Sequence, residues 1–303
     1  MVDIGDTDID ICIVPNCSLP YFQSNYLEKL EKGITKYNFE GINKVIVTNS
    51  YILLKIVHTY QKYKINVDIT VHNMLPIFNT NLIRLYALYD QRFHIMGIYL
   101  KYWAKNNNIQ GAPDNYLSSY ALLLMLIHFL QKVVEPRVLP NLQKIPINYD
   151  KSNPIYGEEL YEYFFNDKKI TTNVYYEKDG YKAKEYMKKI NDGKENEETV
   201  TNLLVKFFEY YAYFFDSKQK ISVHKSLNES IKEKDDNNPF SMDDPFEITH
   251  NPGKSMTKTS ENYKKFVKAM KKEVNFILNG EYVKRLEKEK ALKLSGTNAK
   301  NMS

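Results

Sequence analysis

The sequence predicts an α+β protein, in which a small strand and helix unit comes first and a mainly helical part follows. Strand-like apolar runs ("ICIV", "KVIVTN", "INVDITV") are confined to roughly the first 73 residues, and helical spacing takes over from Asn79. The chain has 303 residues, 43% hydrophobic and 14% aromatic, which is enough core material for one large domain or two ordinary ones.

Taken in order, the first strand is "ICIV", entered through the acidic "GDTDID". A helical stretch is expected around Tyr26 to Lys36, then the strand "KVIVTN", a second helix over "SYILLKIVHTYQKY", and the strand "INVDITV". Beyond these come the helical runs "LIRLYALYDQRFHIMGIYLKYWAKNN", "LSSYALLLMLIHFLQKV", stopped at Glu135-Pro136, and "TVTNLLVKFFEYYAYFF". The polar stretches Lys182 to Thr199 and Asn228 to Asn238 read as exposed connections or insertions.

Several classes are disfavoured. The longest apolar run, "YALLLMLIHFL", is shorter than the roughly 18 to 20 residues of a membrane span, so no membrane partner is expected. Cys12 and Cys17 have neither a disulfide framework nor a metal-site spacing, which points to a reducing compartment, with a cytoplasmic location expected and a nuclear one left open. The net charge of +5 is modest, but lysines crowd "TKTSENYKKFVKAMKKEV" near the end, a pattern suited to a polyanion and equally to a solvated helix.

The acidic entry is the most informative feature. Alternate residues of a strand share a face, so Asp6, Asp8 and Asp10 point one way while Ile9, Ile11 and Ile13 point into the core. In "INVDITV", Val67, Ile69 and Val71 take one face and Asp68 the other. Carboxylates held close repel unless a cation lies between them, and hard divalent ions such as Mg²⁺ (or Mn²⁺) suit oxygen donors. Two carboxylates from one strand and one from its neighbour can bridge two such ions, an arrangement that activates a hydroxyl and steadies a leaving phosphate. A bare turn entering a strand would explain the first stretch alone; the second strand shifts the balance towards nucleotidyl transfer.

Lys101 and Lys105 lie one helical turn apart and could hold a triphosphate, with Ile95, Tyr99 and Trp103 packing behind them; a wet helix face is the plainer reading. Ser118 and Ser119 open a helix as caps or phosphate contacts, and Tyr120 is a core ring or a surface on which a base stacks.

The ordered set "TDIDICI", "VDITVHN", "FNTNLIRLYALYDQRFHIMGIYLKYWAKNNNI", "LSSYALLLMLI", "VLPNLQ", "LLVKFFEYYAYFF" and "DDPFEITHNPGK" resembles the terminal uridylyltransferases and related cytoplasmic poly(A) polymerases of the DNA polymerase β superfamily. The resemblance covers nearly the whole chain. It implies a nucleotidyltransferase palm with a mixed sheet over residues 1–75 and a helical poly(A)-polymerase-associated domain over 76–303, with the nucleotide-recognition loop near 243–254. It implies Asp8, Asp10 and Asp68 as catalytic metal ligands, Asp68 also deprotonating the RNA 3′-hydroxyl, and Asp6 as loop. Asn79 and Thr80 match positions that meet the sugar, Lys101, Lys105 and Ser119 the triphosphate, and Tyr120 the base. His250 matches a histidine that faces the base edge in uridylyltransferases, with Asp244 and Glu247 orienting it or reading the base through water. An imidazole donating to the 4-carbonyl of uracil would favour UTP over ATP. The implied partners are an RNA 3′ end and UTP, or ATP in the alternative polyadenylating reading, for a monomeric enzyme.

Three small departures are Thr7 for a frequent serine, Ala121 for a frequent glycine and Lys254 for a frequent arginine. A larger one is that family members carry a strand ending in a glycine-serine turn before the aspartate pair, whereas Met1 stands seven residues before Asp8. The expectation drawn is an incomplete chain, with an inactive nucleotide- or RNA-binding relative as the alternative.

Overall fold

The computed structural model describes residues 9–14, 28–33, 42–47, 52–60, 63–148, 154–165, 168–224 and 237–279. The chain forms two compact units, one drawn from Met1–Leu85, Leu142–Lys178 and Asp244–His250, the other from Tyr86–Asn141, Asp179–Asp243 and Asn251–Ser303. The boundary expected at 75/76 falls at the start of helix α1 (Leu75–Tyr89), and two segments from far beyond it rejoin the first unit.

In the first unit, β1 (Ile9–Ile13), β2 (Ile42–Val47), β3 (Ile52–Tyr60) and β4 (Tyr63–Val71) form one mixed sheet in the order β1-β4-β3-β2. β1 runs parallel to β4, and β3 is antiparallel to both β4 and β2. Leu54, Ile56, Ile69 and Val71 form the apolar cluster, with Ile13, Val67 and Leu30 packed on it. Leu30 lies in the helical residues 28–33, inside the expected helix. Ile13 packs as expected, but Ile9 and Ile11 stay 48% and 42% exposed, on the strand at the edge of the described sheet.

The second expected helix, over "SYILLKIVHTYQKY", is instead strand β3. Ile52, Leu53, Leu54, Ile56 and Val57 fit a helical and a strand period alike, so the period is ambiguous. The β-branched Ile52, Ile56, Val57 and Thr59 favour the extended form, and Leu53, Leu54, Lys55 and Ile56 have ladder partners on both sides. That form buries Leu54 and Ile56 and turns Lys55 to the opposite face. A hairpin of β5 (Leu160–Phe165) and β6 (Lys168–Asn173) occupies an interval for which the sequence predicts no element. Its Tyr161 hydroxyl donates to the His72 carbonyl (2.9 Å) just past β4.

The second unit is helical. Asp90 leaves helical geometry, accepts from Arg92 N (2.8 Å) and so ends α1 and starts α2 (Gln91–Asn106), dividing one continuous apolar pattern into two helices. Ser118, Asp179, Thr199 and Ser260 cap α3 (Ser119–Lys132), α4 (Gly180–Ile190), α5 (Val200–Glu209) and α6 (Glu261–Leu278) in the same way. Helices α2 and α3 approach so closely that a Cβ at Gly97 would meet Leu123 Cδ2 at 2.9 Å.

The core is a run of rings. Trp103 meets Phe208 (4.8 Å) and Phe266 (5.6 Å), and Phe240 meets Phe266 (5.7 Å) and Tyr211 (6.2 Å). The stretch Lys182 to Thr199, expected as an exposed connection, is a correction. Ala183 and Met187 share one buried face of α4, and Arg92 fixes the chain beyond this helix by donating to Asn196 O (2.8 Å) and Glu198 O (3.0 Å). Charged residues outnumber the apolar ones but occupy the outer face, so composition hid the helix. Of Asn228 to Asn238, only the last two residues lie among those described, and Asn238 is buried, donating to Gly253 O (2.6 Å).

Candidate active site

Parallel pairing puts Asp10 directly beside Asp68, and antiparallel pairing puts Lys55 on the other side of Asp68. All three lie on the sheet face opposite the apolar cluster. Lys55 Nζ donates to both oxygens of Asp68, at 2.8 and 3.1 Å. The Asp68 side chain is 17% exposed and that of Lys55 is 43%, so the carboxylate is largely shielded while the ammonium stays within reach of water. Asp8, and with it Asp6, lies outside the described residues.

The donor set fits a hard divalent cation. Asp10 and Asp68 sit in register on adjacent strands as oxygen donors of the kind such ions prefer, and a bound ion would share Asp68 with the Lys55 ammonium. Among the described residues no three acidic or thiol or imidazole ligands converge, since only two of the expected trio are described.

Beyond β4 the chain turns at His72 and enters α1, whose first turns carry Asn79 and Thr80. Thr80 is exposed, whereas Asn79 Oδ1 is buried with no hydrogen-bond partner among the described residues. A buried acceptor without a donor is costly, and a ligand hydroxyl would satisfy it. The preceding residue, Phe78, packs edge-on against Tyr161 (5.4 Å) and Phe246 (6.1 Å), which ties α1 to the segment 244–250.

That segment is heavily fixed. Phe246 is fully buried, its carbonyl accepts from Thr172 Oγ1 (2.7 Å), and Pro245 O accepts from Gln143 Nε2 (3.1 Å). Asp244 Oδ1 accepts from the backbone N–H of Phe246 and Glu247, both at 3.0 Å, and Oδ2 lies 3.1 Å from His250 Nδ1. Glu247 Oε2 is 3.9 Å from the same nitrogen. Burial pushes the Asp244 carboxyl up, but the hydrogen bonds from His250, Glu247 and Phe246 outweigh it and hold the group below its ordinary value. Asp244 therefore stays ionised and engages Nδ1, leaving Nε2 as the atom the imidazole can offer elsewhere. A neutral ring presents Nε2 as an acceptor. Donation to a carbonyl needs the second proton.

The other expected residues belong to the second unit. Lys101 and Lys105 are half-buried on α2, with Lys105 in the last turn, where the helix dipole favours a cation. Of the residues expected to pack behind them, Trp103 is buried and Tyr99 donates to Glu273, but Ile95 is 42% exposed. Ser118 is a cap, accepting from Ala121 N at 3.1 Å. Ser119 and Tyr120, half-buried, are the first two residues of α3. Sequence reasoning missed Lys55, because its stretch was read as a helix; strand alternation would have placed it opposite Leu54 and Ile56.

No family model matches the sequence. Caffeine-induced protein 16 of Schizosaccharomyces pombe is 29% identical over 269 residues, which are 86% of this chain and 20% of that protein. Poly(A) RNA polymerase cid13 of the same organism is 27% identical, over 69% of this chain and 32% of its own length. Terminal uridylyltransferase 4 of Homo sapiens is 27% identical, over 85% of this chain and 15% of its own. The chain thus spans at most about a third of these three relatives. Among solved structures, the Cid1 poly(U) polymerase bound to Mg 3′-dATP superposes with a TM-score of 0.67 at 22% identity, covering 90% of this chain and 76% of that one. A structure of a cytoplasmic RNA terminal U-transferase gives a TM-score of 0.64 at 23% identity, over 90% and 76%. The mixed sheet and helical part thus form the same fold as these enzymes.

Proposed function

We propose, from the premise that this chain belongs to the family of terminal uridylyltransferases and cytoplasmic poly(A) polymerases, that it is a template-independent RNA 3′-terminal nucleotidyltransferase using UTP. The observation that carries the reaction is the register of Asp10 with Asp68 on one sheet face. Asp8, Asp10 and Asp68 would hold Mg²⁺, or Mn²⁺, which when bound stabilises charge on the reacting phosphate and the attacking oxygen. Asp68 is assigned the proton of the RNA 3′-hydroxyl, and Lys55, paired to both of its oxygens, holds the carboxylate in place. Asn79 Oδ1 accepts a ribose hydroxyl, which selects ribonucleotides, with Thr80 beside it. Lys101, Lys105 and Ser119 are assigned to the triphosphate and Tyr120 to the base, each by its place in the motif.

The choice of UTP rests on the Asp244–His250 pair. An imidazole whose Nδ1 is tied to a buried carboxylate is fixed in orientation, so Nε2 meets the base edge at one place and the ring fills room that a purine needs. Incubating the chain with a labelled short RNA and each ribonucleotide in turn tests this. Preferential extension with UTP is expected, and His250→Asn should lower the UTP-over-ATP preference by roughly 10- to 100-fold. Extension with ATP and none with UTP would reassign the chain as a poly(A) polymerase.

A further inference from the structure

Helix α6 (Glu261–Leu278) buries Phe266, Met270, Glu273 and Val274 and leaves Lys264, Lys265, Lys268, Lys271 and Lys272 exposed. A solvated helix face ordinarily sets lysines against acids three or four residues away. Lys268 instead has lysines at all four such positions, 264, 265, 271 and 272. Glu261 pairs with Lys264 at 2.6 Å, and Lys265 donates to Asn108 O at 3.1 Å. The other acid of the helix, Glu273, is buried and accepts from Tyr99. Lys268, Lys271 and Lys272 have no acidic partner among the described residues, and like charges at these spacings oppose the helix that carries them.

Aromatic rings stand beside this row. After α5 (Val200–Glu209) the chain makes one π-helical turn, Tyr210–Phe214, closed by Phe215 N donating to Tyr210 O at 2.7 Å. The wider turn points Tyr211 inward, 4% exposed, and leaves Tyr213 and Phe214 55% and 72% exposed. Their ring centroids are 6.4 Å apart, and Lys271 Nζ sits 4.8 Å above the Tyr213 ring. Two exposed rings joined by a cation–π contact to an unneutralised lysine row have no packing role to explain them.

We propose that Lys268, Lys271 and Lys272, together with Tyr213 and Phe214, form a binding surface for single-stranded RNA upstream of its 3′ end. The cations take successive phosphates and the rings stack on bases, the combination that holds a strand without reading its sequence. The choice of RNA among polyanions rests on the function proposed above.

The test uses the full chain and a fluorescent, unstructured RNA of about 15 nucleotides, a trinucleotide and UTP, with binding read by anisotropy and calorimetry. Lys268→Gln/Lys271→Gln/Lys272→Gln should weaken the longer RNA at least about tenfold and flatten the slope of log affinity against log salt by about 2. Tyr213→Ala/Phe214→Ala should weaken it roughly tenfold with the slope unchanged. Trinucleotide and UTP binding should not change in either variant, and Trp103 fluorescence checks that the second unit stays folded. Unaltered affinity and slope in the triple variant, or equal loss for the trinucleotide, overturns the proposal. So does loss of binding to phosphatidylserine vesicles with RNA binding intact, which would mark a membrane-facing surface. Loss of long-RNA binding in a protein that extends no RNA with any nucleotide supports this surface while overturning the catalytic reading, so the two fail separately.

Discussion

The two units spend their residues differently. In the first, the described sheet buries a short aliphatic cluster on one face and holds Asp10, Asp68 and Lys55 on the other. In the second, Trp103, Phe208, Phe266, Phe240 and Tyr211 form a continuous run of ring contacts, closed by helices with polar caps. A sheet face loaded with like charge costs folding energy, and it persists here with a lysine as counter-charge. The aromatic core carries no comparable conflict. The acidic face and the aromatic core thus lie in different units, although Lys101, Lys105, Ser119 and Tyr120 stand on helices of the second.

The largest expected effect tests the acidic face. Asp68→Ala should lower RNA extension by about 10³-fold or more, because several kcal/mol of charge stabilisation depend on it. The unfolding midpoint read by Trp103, the single tryptophan and a residue of the second unit, should stay the same. A large shift of that midpoint would break the separation. Phe208→Ala is the converse: it should cost the second unit about 3–5 kcal/mol in denaturant unfolding read by Trp103.

Acidification separates the units next. His128 is fully buried; burial, then the charge of Lys132, pushes it from its ordinary 6.5 down to about 3. Its folded value is depressed, so the unfolded chain binds the extra proton first. Stability of the second unit should fall as pH drops below about 6.5, by about 1.4 kcal/mol per pH unit at most. His128→Leu should flatten that slope in Trp103-detected unfolding. Asp244 in the first unit is depressed from 3.8, so its contribution is complete above that pH and is lost only below it. Between pH 6 and pH 4, roughly, its grip on His250 should hold while the second unit weakens, a difference that nuclear magnetic resonance of the His250 ring would resolve.

The smallest effect concerns Lys55. Its pair with Asp68 is partly exposed, so Lys55→Met should destabilise the protein by no more than about 1 kcal/mol. It should also enlarge the rise in melting temperature that Mg²⁺ produces, since the ion would no longer share Asp68 with an ammonium. An unchanged Mg²⁺ response would show that the pair does not compete with the metal.

Legibility in the sequence followed the strength of the local pattern. Strand alternation in "INVDITV" placed Asp68 opposite the core, and the apolar spacing of "LSSYALLLMLIHFLQKV" marked α3 with its serine cap. "ILLKIVHTY" misled because Ile52, Leu53, Leu54, Ile56 and Val57, broken only by Lys55, fit a helical and a strand period alike, and the ladder partners decide between them. Lys55 was lost with it. Helix α4 was hidden by its own composition, since two buried side chains, Ala183 and Met187, carry little weight among its lysines.

By itself the sequence determined which residues could carry the chemistry, because residue type and alternation along one strand or helix are local properties. Tertiary structure decided who their neighbours are. It set Asp10 against Asp68 across 58 positions of chain, gave Asp68 its lysine, and brought Asp244–His250 back to the unit that holds the sheet. Pairing register and the return of a distant segment depend on the free energy of the whole packed unit, and no window of sequence contains it.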